Sequence, residues 1–203
     1  LAQQANAARE SILGAEFLAE LELDRERPAV ALPLLEGALD QAVAIAPQGD
    51  LVMEIEIRLG AALLMLRRLE EAQPHLTRGL ALAERLGDRL ERALAERQLA
   101  RLDALRANTA GLESHVRAAA RMFEELGETY ELASTLAVWG DLLLLLPSGT
   151  RARVPLDPVA EAARRASAMF RQLGVPSLAA EALMTIARLE AEREHYDQAL
   201  SML

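Results

Sequence analysis

Leu59 to Asp88 reads LGAALLMLRRLEEAQPHLTRGLALAERLGD, and forty residues further on Leu99 to Glu128 reads LARLDALRANTAGLESHVRAAARMFEELGE. Leu59, Ala62, Leu66, Leu76, Leu80 and Leu86 of the first stretch correspond to Leu99, Leu102, Arg106, Val116, Ala120 and Leu126 of the second, so only Arg106 breaks the apolar pattern. Each copy contains two segments of helical periodicity joined by a short turn, which is a helical hairpin. One hairpin cannot bury its apolar faces alone, so repeated hairpins stack. The expected fold is all-α: a right-handed α-solenoid of antiparallel helical hairpins, about four and a half repeats, forming one domain over residues 1–203.

Composition agrees. Hydrophobic residues make up 52% of the chain but aromatics only 3%, and the apolar content is mostly Ala and Leu, which favour helix. All 22 basic residues are arginine, and cysteine is absent. Disulfides, zinc-thiolate sites, thiol nucleophiles and lysine-dependent phosphate loops are thereby excluded. The net charge of −9 repels phosphate backbones, so direct nucleic-acid binding is not expected. The most apolar stretch, Thr135 to Leu146, is interrupted by Gly140 and Asp141, and no run is expected to reach the roughly 18 apolar residues that cross a bilayer. A cytoplasmic location is the default expectation.

Helices are expected near residues 5–23, 28–46, 51–66, 70–86, 90–106, 110–126, 129–146 and 158–173. A further helix follows Pro176 and runs to Glu192, with a turn through Glu194-His195-Tyr196-Asp197 and a last helix that takes in Ala199 to Leu203. Gly87, Gly127 and Gly174 stand where C-terminal glycines end helices, and Asp88 follows as an N-cap. Gly127 to Gly174 spans seven residues more than Gly87 to Gly127, which marks Pro147 to Asp157 as an insertion. Its Arg151 and Arg153 form a local basic spot, read either as a contact for an acidic partner or as a mobile surface loop. The start without Met and the end inside a helical pattern lead us to expect a piece of a longer multidomain protein, whose cut ends could self-associate.

These residues resemble the tetratricopeptide repeat. Leu59-Gly60, Leu63, Ala72, Leu76 and Gly79 follow its pattern, as do Leu136, Trp139-Gly140, Leu143, Val159, Ala163 and Ala166, and then Ile186-Ala187, Ala199 and Leu203. The period near 40 is similar to longer-helix variants in bacterial signal-responsive regulators and peptide-sensing receptors. The resemblance implies a protein- or peptide-binding module, such as the sensory segment of a transcriptional regulator, with no catalytic role. Independently of any family, Gly60, Gly79 and Ala72 are read as small residues that let two helices approach.

Chemistry is sparse. His75 and His115 sit at equivalent repeat positions and are read as structural, and His195 as solvated; no metal or cofactor is expected. Adjacent glutamates such as Glu70-Glu71 and Glu124-Glu125 point in different directions on a helix and form ordinary charged faces. No nucleophile elbow, glycine-rich phosphate loop or paired-histidine helix occurs, so no catalytic residue is assigned. A purely structural spacer and a small-molecule sensor remain as alternatives.

The candidate site is a groove lined by the first helix of each hairpin. Positions counted from the Leu-Gly glycine select Ile57, Ala61, Leu64 and Met65 in one copy and Arg97, Arg101 and Leu105 in the next. Asp141, Leu144 and Leu145 follow in the fourth, and Met184 and Arg188 in the fifth. Such a strip is apolar with a few charges and suits an amphipathic helix or an extended acidic-apolar segment, with the arginines holding carboxylates.

Overall fold

The computed structural model describes residues 2–201, with side chains described from 7 to 194. Among them lie ten α-helices and no strand, and their contacts divide the chain into two compact units, residues 1–102 and 103–203.

The first unit holds α1 (Ala2–Asp24), α2 (Pro28–Ile45), α3 (Asp50–Met65), α4 (Leu69–Leu86) and the greater part of α5 (Arg89–Leu105). Successive helices pack as antiparallel neighbours, α1 on α2, α2 on α3 and α3 on α4. Ile12, Leu35, Met53, Ile55, Leu59 and Leu76 are fully buried between them. The reading of the small residues holds in the α3–α4 seam: a Cβ on Gly79 would lie 2.5 Å from Ile57 Cγ1, and one on Gly60 would overlap the Leu76 side chain. Helix propensity alone disfavours both glycines by about 1 kcal/mol each, so interhelical approach selects them.

Turn chemistry repeats with the hairpins. Gly87 and Gly127 end α4 and the helix Thr109–Leu126 in the left-handed conformation at φ 74° and 76°, and Asp88 accepts the Glu91 N–H at 3.0 Å. The turns within hairpins use Glu26, Arg67 and Ala107 at φ 57° to 60°, a region that is strained for residues with a Cβ.

One expectation needs correction. α2 has 18 residues with mean hydropathy 1.3, enough by length and composition for a membrane span. Glu36 and Asp40 divide that run in the sequence and stand exposed on the helix, while Ala31, Leu35, Ala38 and Ala42 are buried where α2 meets α1 and α3.

The second unit continues with the end of α5, α6 (Thr109–Leu126), α7 (Thr129–Leu144), the single turn α8 (Ser148–Arg151), α9 (Asp157–Gln172) and α10 (Pro176–Ser201). α7 lies centrally, against α6, α9 and α10, and buries Leu136, Trp139, Leu142 and Leu143. Phe123 and Phe170 complete this core, and Tyr130 meets Phe170 edge-on at 5.9 Å.

The insertion is built rather than loose. Arg151 of α8 donates to the Leu144 carbonyl at 2.9 Å and pairs with Glu192 of α10 at 2.8 Å, so it caps the carbonyl end of α7 instead of offering a free charge. The expected turn at 194–197 is absent: α10 runs unbroken to Ser201, since that segment contains neither Gly nor Pro to stop a helix. Ala199 therefore lies on α10 and not on a second helix; Leu203 and the side chain of His195 lie outside what is described.

Candidate interaction surface

In the first unit, α3 is covered by α1, α2 and α4, which leaves only a narrow stripe partly open. That stripe is Glu54, Arg58, Ala61 and Met65, at spacings of four, three and four residues. Ile57 and Leu64, expected on the open face, are instead 3% and 1% exposed. Ile57 is drawn inward by the notch that Gly79 provides, a consequence of close helix approach that position counting does not capture. On α5, Arg97, Arg101 and Leu105 are half-buried, whereas Ala104 is fully buried. Burial, followed by repulsion from Arg67 and Arg97, holds the Arg101 guanidinium below its ordinary pKa. Arg67, at the α3–α4 turn, was not among the expected residues.

The strongest electrostatic feature of this unit was also not expected. Arg58 Nε lies 3.0 Å from Glu16 of α1, and its Nη1 lies 3.4 Å from Glu91 of α5. The same Nη1 donates to the Glu54 carbonyl at 3.1 Å. Glu16 and Glu91 are 5% and 7% exposed. Burial pushes the Glu16 carboxyl up to about 7, against the pull of Arg58, with Glu54, Glu91 and Glu20 adding repulsion. Glu54 and Glu91 are also raised, again chiefly by burial. One guanidinium thus serves several carboxylates and ties three helices together. Nothing in the forty-residue repeat marks these positions, because Glu16, Arg58 and Glu91 come from non-equivalent places and meet only across helices.

On its α4 side, α3 carries a buried carboxylate of its own. Glu56 is 1% exposed and is satisfied by His75 Nδ1 at 2.5 Å and Arg78 Nη1 at 2.9 Å. His115 likewise stands 3.5 Å from Asp103. Both histidines are engaged with carboxylates of their own unit.

In the second unit four of the five expected positions, Asp141, Leu144, Met184 and Arg188, line one groove. Ser134, Ala137, Asp141 and Leu144 of α7 face Glu181, Met184 and Arg188 of α10 across an open groove of about 580 Å³. Val138, Phe170, Leu178, Ala182 and Tyr130 add apolar lining that position counting missed, partly because Phe170 reaches the groove from α9. Met184 is 68% exposed and Tyr130 50% exposed. Asp141 is held across the groove by the Thr185 hydroxyl at 2.8 Å, and Arg188 reaches Glu192 on its own helix at 3.4 Å. Leu145 is half-buried at the end of α7 and does not line the groove. An apolar trough with a carboxylate and a guanidinium at its edge can receive side chains.

Hairpins of this length, paired in order and sealed by small residues, define the fold of a TPR-like helical repeat protein. Solved structures bear this out. The chain is similar to the nearly identical TPR-like repeats of a putative kinesin light chain from Podosopora anserina, with 15% identity and TM-score 0.52, covering 91% of this chain and 96% of that one. It is also similar to BtubC (BKLC) from P. vanneervenii, with 16% identity and TM-score 0.52, covering 93% and 90%. At such identities the likeness is one of fold. No protein-family model and no curated protein matches the chain.

Proposed function

We propose that this chain is a protein-interaction scaffold whose first-helix face receives an amphipathic helix or an extended acidic-apolar segment of a partner. The observation that carries this reading is the α7–α10 groove, where residues selected by repeat position line one trough with an exposed methionine at its edge. An exposed apolar strip of this kind is the usual mark of a binding surface. The half-buried Arg101, close to Arg67 and Arg97 in charge, offers carboxylate recognition on the same helix set in the first unit. The net charge of −9 disfavours nucleic acid as the occupant. We further propose a setting in the cytoplasm as the sensory part of a bacterial regulator, on the strength of the long repeat period.

A photo-crosslinking residue placed at Ala137, at Met184 and, as an off-groove reference, at Ala29 tests the proposal. Partner peptides identified by mass spectrometry are expected from Ala137 and Met184 and not from Ala29. Equal yields from all three positions, or crosslinks only within the chain, overturn it.

A further inference from the structure

A second cleft lies on the other side of α7, between α6 and α9. Both helices rest on α7, and its Leu136 and Trp139 form the floor. The cleft has a volume of about 830 Å³ and continues past Trp139 and Pro158 into a further 410 Å³ beneath the insertion, where Val154 and Pro155 make the wall. It runs along α6 from Thr109 to Glu124, roughly 22 Å at the helical rise, or about four turns.

Opposite charges line its two walls. Glu124 and Arg165 join α6 to α9 at 2.6 Å and close one end. One turn back, Arg121 on α6 and Glu161 on α9 line opposite walls. Among the described residues the Arg121 guanidinium bonds only to the Arg117 carbonyl, at 3.4 Å, and Glu161 makes no ion pair. Another turn back, Asp157 is likewise unpaired among them, and Arg117 lies over the Trp139 ring at 5.1 Å while pairing with Glu113. The insertion sits at this end, and α8 with its Arg151 contacts holds it in place.

We propose that this cleft docks an amphipathic helix of about four turns, with an apolar stripe over Trp139, carboxylates toward α6 and basic side chains toward α9. The proposal is independent of the α7–α10 groove. A helix suits the site because both walls are themselves helices whose backbone groups are already bonded. They offer side chains but no edge for an extended strand, whose own N–H and C=O groups would be left unpaired over the apolar floor. The charge pattern decides the direction: Arg121 takes a carboxylate, while Asp157 and Glu161 take a guanidinium or ammonium, and the reverse arrangement places like charges together. Arg117 covers the indole in the free protein and is the group that the incoming stripe displaces.

Trp139 is the chain's single tryptophan and reports occupancy directly. The probe is a synthetic 15-residue helical peptide with a Leu/Ala stripe, glutamates on one flank and arginines on the other, so that the stripe lies over Trp139 when the flanks match. A second peptide of the same composition mixes glutamates and arginines on both flanks, so that it matches the walls in neither direction. Titration of the full chain with the matched peptide should change the indole emission as the Arg117 cation leaves the ring, and the mixed peptide should bind about tenfold or more weakly. In the double variant Arg121→Glu, Glu161→Arg, which leaves both signs of charge on each wall, the preference should be lost. The helical circular dichroism signal of this variant should be unchanged, because both side chains are exposed. Absence of any emission change, equal affinity for the matched and mixed peptides, or a preference unaltered in the double variant overturns the proposal. Loss of binding in Ala137→Glu, which blocks only the α7–α10 groove, places the peptide there and overturns it as well.

Discussion

Replacing Glu16 by glutamine should change how the stability of the first unit depends on pH, and the size of the change follows from where Glu16 sits. The side chain is 5% exposed on α1, against Arg58, with Glu54, Glu91 and Glu20 also facing it. Its pKa rises from 4.5 to about 7, burial being the largest cause. A carboxyl whose folded pKa lies above its unfolded value binds its proton more tightly in the folded state. Its contribution is therefore fully present below the unfolded pKa and is lost as pH rises through the folded one. At about 1.4 kcal/mol for each tenfold change in proton affinity, the whole effect is about 3 kcal/mol, most of it lost between pH 5 and pH 8. Glu54 and Glu91 are raised too and act in the same direction. The Glu16→Gln variant keeps the shape and removes the titration, so comparison with the unaltered chain isolates this one group. Urea unfolding followed by circular dichroism at pH 5, 6, 7 and 8 measures it. The unaltered chain should lose about 2–3 kcal/mol more than the variant over that range. Parallel pH curves for the two proteins would show that Glu16 is not held in a desolvated cluster, and the reasoning fails.

Two glycine substitutions should move stability in opposite directions. A Cβ on Gly60 meets the buried Leu76 side chain, while one on Gly37 meets nothing within 4 Å. Gly60→Ala should thus cost about 1–2 kcal/mol after its gain in helix propensity, and Gly37→Ala should stabilise by about 0.5–1 kcal/mol; denaturation midpoints that shift the same way in both refute the seam geometry. Ala107 turns from α5 into α6 at φ 58°, so Ala107→Gly should relieve left-handed strain worth about 1–2 kcal/mol, partly offset by unfolded-state entropy, and raise the melting temperature. A lowered melting temperature would contradict that backbone conformation.

Local chemistry that repeats in the chain was legible without coordinates. The forty-residue recurrence of apolar positions specifies paired helices, Gly87 and Gly127 mark helix ends because a left-handed cap favours glycine, and Gly60 and Gly79 declare a close seam because propensity alone opposes them. Of the α7 and α10 positions that the same periodicity selects, Asp141, Leu144, Met184 and Arg188 line one trough and Leu145 does not. What the sequence could not supply were relations between non-equivalent residues on different helices. Ile57 and Leu64 turned inward because neighbouring helices cover α3 on most sides, and burial depends on those neighbours rather than on position within a repeat. Glu16, Arg58 and Glu91 became one electrostatic group only when α1, α3 and α5 were brought together. Arg151 exchanged the appearance of a free basic spot for a cap on α7 and an ion pair with Glu192. Helix formation is governed by nearby residues and their spacing, so it can be read along the chain. The ionisation, burial and availability of a side chain are governed by whatever lies within a few ångströms of it, and for these residues only the tertiary structure decided that.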